Sequence, residues 1–159
     1  MISSKQFNAL LPIACKWAEE QEKIILRHGV KLDVDQQIDA FLIGIKDPTK
    51  IRLLKVDQVP VPSHHALKEA AEMIGFLSNT TIGLALRYGI YIRSDYWNQR
   101  KLIVHELVHT MQYDRMGGFM SFLSQYLHEC LTIGYPFGSL EQEANRIEKA
   151  LCIDGSISD

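Results

Sequence analysis

The stretch KLIVHELVHTMQY, residues 101–113, restricts the chain more than any other part of it. Its apolar positions recur at helical intervals and predict a helix over 97–114. A helix turns about 100° per residue, so His105 and His109 lie about 40° apart on one face. Glu106 stands about 100° from His105 and about 60° from His109. Val104, Leu107, Val108 and Met111 gather on the opposite side. One side of this helix must therefore seal into a core while the other presents two imidazoles and a carboxylate.

Two imidazoles at this spacing can grip a single ion. Zinc suits neutral imidazole ligands, and with three protein ligands it keeps one position for water. The ion lowers that water's pKa to about 7. Glu106 is close enough to take the proton without being a ligand and to pass it to a leaving amine. The plain alternative is an ordinary helix that happens to carry two histidines. A third ligand decides between them.

A third histidine six residues after His109 would fall on Arg115, which excludes the three-histidine type. The remaining candidates are Asp114, His128, Glu129, Glu141 and Glu143. Asp114 is turned away from the histidines, and His128 reads as one polar position on an apolar helix. SLEQEANRIEKAL has an apolar stripe at Leu140, Ala144, Ile147 and Leu151, and Glu141 and Glu143 flank it on opposite sides. Periodicity does not choose between the two. A carboxylate in a helix's first turn is favoured electrostatically, which supports both.

HELVH, a spacer of roughly thirty residues and then Glu141-Gln142-Glu143-Ala144-Asn145 resembles the gluzincin type of zinc metallopeptidase. The chain also resembles small bacterial proteins with HELxHxxQ followed by ExEA. The resemblance covers about residues 80–150. It implies zinc held by His105, His109 and Glu141, with Glu106 as general base and a peptide or protein as substrate. The position of the aspartate that supports a zinc-bound histidine falls on Asn145, an uncharged departure whose oxygen can still accept an N–H bond. The resemblance further implies that GIYIR, residues 89–93, lies beside the zinc helix and pairs with extended substrate. A donor for the developing oxyanion is also needed. Tyr135, His128, Tyr113 and Arg115 are candidates, and Tyr135, in the loop before the Glu141 helix, is the preferred one. Gln112 follows His109 by three and falls near the ligand face, either supporting a ligand or in solvent.

Around this site the chain reads as one α+β domain, 1–159, with a helical N-terminal part (1–79) and a metal-site core (80–152). Helices are expected over 3–28, stopped by Gly29; over 35–45, with Ile38, Phe41, Leu42 and Ile45 on one face; and over 64–77, capped by Ser63. Further helices are expected over 119–132 and 140–152, the last with Ser139 and Gln142 as a capping box. IRLLKV (51–56), 82–87 and 90–93 read as strands, with Tyr88-Gly89 as a turn. The expected sheet thus has two or three strands.

Hydrophobic residues make up 47% of the chain, enough for a real core. A formal net charge of −2 with dispersed Lys and Arg does not suit a nucleic-acid binder. Cys15, Cys130 and Cys152 form no CxxC pair and read as small core residues. LPIAC only faintly matches a lipoprotein cleavage box, with Pro12 where leucine is usual, and no window suits a membrane span. A cytoplasmic protein is the expectation. Two functions follow: a zinc-dependent hydrolase, above all a peptidase, or a non-catalytic zinc-binding module acting by structure or interaction.

Overall fold

The computed structural model describes residues 2–153. Its first element, α1 (Ser4–His28), begins at a reciprocal cap. Ser3 Oγ accepts from the Gln6 N–H, and Gln6 Oε1 accepts from the Ser3 N–H. Leu11, Ala14, Cys15, Ala18, Glu22 and Ile25 are buried along one stripe. The helix stops at Gly29, in an extended conformation rather than a left-handed one. Close approach explains that glycine, since a Cβ there would lie 2.7 Å from Ile25 O and 2.9 Å from Leu53 O.

A two-residue strand, β1 (Val30–Lys31), then joins the sheet. It is too short to show any periodicity in sequence. With it come β2 (Arg52–Val56), β3 (Gly83–Leu86) and β4 (Gly89–Arg93), in the order β1-β2-β4-β3. The sheet is thus four-stranded, not two- or three-stranded. It is mixed: β2 runs parallel to β4, while β1–β2 and β3–β4 are antiparallel. The fold class is α+β as expected.

Side chains alternate across this sheet. Leu84, Leu86 and Tyr91 pack with α1 and with α5 (Phe119–Thr132). Ala85, Ile90 and Ile92 face the other way, towards α2 (Val34–Ile43) and α4 (Arg100–Met116). Ile90 and Ile92 are fully buried, and each contributes about 2 kcal/mol of transfer free energy.

Several local expectations are corrected. The turn between β3 and β4 is Arg87-Tyr88, with Arg87 at φ 60°, and Gly89 already belongs to β4. Glu22 holds that turn: its carboxylate accepts two bonds from the Arg87 guanidinium and one from the Tyr88 N–H. Of the expected core face over 35–45, Ile45 is buried as expected, but the residues within α2 are outside. Ile38, Phe41 and Leu42 are exposed, whereas Ala40 and Asp39 are buried. Small Ala40 lets α2 dock closely, and Asp39 makes a two-bond ion pair with Arg100 at the start of α4. The third helix, α3 (His65–Met73), is capped by His64 Nδ1 accepting from the Leu67 N–H, not by Ser63, and ends earlier than 77.

The last helix, α6 (Ser139–Cys152), has no Ser139–Gln142 capping box. Glu129 of α5 caps it instead. Its carboxylate accepts from the Leu140 N–H at 3.1 Å and from the Ser139 hydroxyl, while Gln142 turns back to Phe137 O. A partner outside the local sequence thus displaces the local motif. The three cysteines are buried and free. No helix among the described residues is long and apolar enough to cross a membrane.

Candidate metal centre

Helix α4 holds the opening motif as its periodicity requires. Val104, Leu107 and Val108 are buried at 0% exposure, which fixes the roll of the helix. His105 and His109 then emerge on one side, their Nε2 atoms 3.2 Å apart. Helix α6 packs alongside through Leu140 and Ala144, both buried. This turns Glu141 into the same space. Its Oε1 lies 3.1 Å from His105 Nε2 and its Oε2 lies 2.6 Å from His109 Nε2. One donor atom from each of the three residues falls within 4.8 Å of the others, so His105, His109 and Glu141 can hold one metal ion. Among the described residues no fourth His, Cys, Asp or Glu joins them. Two imidazole nitrogens and one carboxylate match the donor set of a three-ligand zinc site.

Burial by itself would lower the His109 imidazole, but Glu141 outweighs it by bond and by charge, and the group rises to about 9. Burial would raise Glu141, yet the two imidazoles hold it well below the usual carboxylate range. Glu106 behaves oppositely. Burial dominates and pushes its carboxyl up, against the pull of His109 and His105. The Ala85 backbone N–H faces it, and Gly83 lies against it: a Cβ on Gly83 would sit 3.1 Å from Glu106 Oε1.

The other candidates are placed elsewhere. Asp114 accepts a hydrogen bond from the Tyr88 hydroxyl. His128 packs edge-on against Phe7. Glu129 caps α6. Glu143 makes a two-bond ion pair with Arg115 and also accepts from Gln112. Tyr113 is buried in the aromatic stack with Phe119 and Phe122. Tyr135 lines the open cleft beside His105 and Glu141, together with Gly83 and Glu106. Desolvation and the Glu141 and Glu106 carboxylates push its phenol up to about 12, so it stays a donor. Asn145 is exposed at the rim of this cleft and bonds neither imidazole.

Two residues matter more than their sequence suggested. Gln112 is fully buried, with Oε1 2.8 Å from His109 Nδ1. Tyr126, within the helix expected over 119–132, donates its hydroxyl to Glu141 Oε2 at 3.0 Å. Its place on an apolar stripe concealed that role. GIYIR is also relocated. As β4 it is interior, and the strand at the sheet margin beside α4 is β3.

No protein-family model matches this chain, no curated protein matches its sequence, and no solved structure matches its fold.

Proposed function

We propose that this protein is a zinc-dependent hydrolase that cleaves peptide bonds. The observation that carries the proposal is the convergence of His105, His109 and Glu141, with Glu106 beside them but outside the ligand set. Zinc at these three groups supplies Lewis acidity towards a carbonyl and a lowered pKa for water.

The chain's own groups supply the rest. Glu106 takes the proton of the attacking water and hands it to the leaving amine; its raised pKa suits both steps. Tyr135 donates to the carbonyl oxygen as charge develops there. The sheet margin orients the substrate. Arg93 N–H donates to Ile82 O, and the register Gly83↔Ile92 follows. Gly83 and Ala85 therefore turn their N–H and C=O groups away from β4. The Ala85 N–H faces Glu106, which leaves Gly83 to pair with an extended peptide in the cleft.

The test is Glu106→Gln, assayed on a mixture of quenched fluorescent peptides with zinc content measured in parallel. Retained zinc with hydrolysis lowered at least a thousandfold is expected. Hydrolysis at the wild-type rate would exclude Glu106 as the base. Zinc bound with no hydrolysis by either protein would favour the non-catalytic zinc-binding module.

A further inference from the structure

Gln112 makes three contacts, and together they leave its side chain one orientation. Its Oε1 lies 2.8 Å from His109 Nδ1. Its Nε2 donates to Leu140 O at 2.9 Å and to Glu143 Oε1 at 2.8 Å. A carbonyl oxygen and a carboxylate oxygen can only accept. The amide nitrogen must therefore face them, and a flipped amide would set its oxygen against both. Its own oxygen then faces His109, and an amide oxygen can only accept as well. The proton between them belongs to His109 Nδ1. Glu143 is in turn held by the two-bond contact with Arg115, 2.9 and 2.8 Å.

We propose that Gln112 is the positioning residue of His109. It keeps the proton on Nδ1 and aims Nε2 at the ligand space, and the Glu143–Arg115 pair acts through it as a clamp. The supporting contact comes from the same helix, three residues on, and not from Asn145 on α6. An amide does this work without placing a further negative charge on the imidazole. Glu141, at the other end of the ring, is then the only carboxylate among the described residues bonded to His109. Gln112 also ties α4 to the first turn of α6 through Leu140 O, so one side chain sets both the angle of His109 and the approach of Glu141.

The affinity arm of the test rests on the proposed zinc reading, and the proton arm does not. The His109 Nδ1–H resonance is followed in long-range 1H–15N spectra of the full chain, with and without zinc. Zinc affinity is measured by competition with a chromophoric chelator. The wild-type protein is expected to show a slowly exchanging Nδ1–H in both states. Gln112→Leu is expected to lose that protection and to bind zinc 10–100-fold more weakly. Glu143→Ala removes the clamp at the edge of the site and serves if Gln112→Leu does not fold. It is expected to speed exchange of the same proton and weaken zinc about tenfold. A protected Nδ1–H and unchanged zinc affinity in folded Gln112→Leu, or in Glu143→Ala if the first variant does not fold, would overturn the proposal. If the wild-type protein binds no zinc but shows the protected proton, Gln112 keeps its positioning role and only the zinc reading falls.

Discussion

His109 Nε2 stands 2.6 Å from Glu141 Oε2, and the two residues hold each other charged inside the protein. If the proposed zinc binds here, the pair should make metal-free stability and zinc affinity respond oppositely to pH. Burial opposes the charge on His109, but Glu141 raises the group from 6.5 to about 9. Its contribution is complete below 6.5 and is lost as pH rises through 9. Glu141 is lowered from 4.5, so its contribution is present above 4.5 and is lost as pH falls through the lowered value. Urea melts of metal-free protein should show this stabilisation between 4.5 and 6.5 and its decline towards 9. Zinc replaces the Nε2 proton, so its affinity should rise about tenfold per pH unit over that decline. Chelator competition at several pH values measures it, and a flat profile would contradict the pairing.

Tyr135→Phe should separate chemistry from metal binding. Tyr135 lines the cleft and is not one of the three residues that can hold the metal. Loss of one oxyanion donor costs roughly a hundredfold or more in kcat. Zinc affinity should not change. Equal kcat in the two proteins would remove Tyr135 from the mechanism.

Gly83→Val tests the sheet margin. A Cβ at this position would meet Glu106 Oε1 and Leu102 Cδ1 at 3.1 Å each. Displacing the base by a fraction of an ångström should lower peptide hydrolysis by about a hundredfold. Zinc should remain bound, because the atoms nearest to a Cβ at this position belong to Glu106 and Leu102 and not to the three proposed ligands. Full hydrolysis in a folded, zinc-loaded variant would show that β3 does not position the base.

Glu22→Ala tests how the β3–β4 turn is held. Glu22 accepts the Arg87 guanidinium and the Tyr88 N–H while Arg87 sits at φ 60°. Removing the carboxylate leaves those donors without their buried partner and should cost about 2 kcal/mol in denaturant unfolding. A change below about 0.5 kcal/mol, the range of ordinary surface substitutions, would show that the turn stands by itself.

Much of this protein is legible locally. The helices over 3–28, 97–114 and 119–132 carry their apolar stripes at helical spacing, and the structure sets them within a few residues of those bounds. Elements that depend on distant partners were not legible. Strand β1 exists only because β2 pairs with it. The apolar stripe over 35–45 predicted a buried face; Ile45 is buried, but Ala40 and the Asp39–Arg100 pair face inward in place of Ile38, Phe41 and Leu42. Ser139 and Gln142 had the spacing of a capping box, and Glu129, ten residues earlier than Ser139, took the cap instead.

The sequence by itself determined that His105, Glu106 and His109 share one side of a helix whose other side is core. That is a property of one helix's periodicity, which any chain with this stretch would carry. Periodicity left Glu141 and Glu143 open and the family resemblance pointed to Glu141, but only the tertiary structure set Glu141 against the imidazoles. The two lie on opposite flanks of one stripe, and nothing within α6 distinguishes them. Burial of Leu140 and Ala144 against α4 fixes the roll of α6, which sends Glu141 to the imidazoles and leaves Glu143 to Arg115. The same docking gave Gln112 its two acceptors. A helix's periodicity specifies which of its faces is buried; which carboxylate reaches an imidazole 36 residues away depends on how two such faces meet.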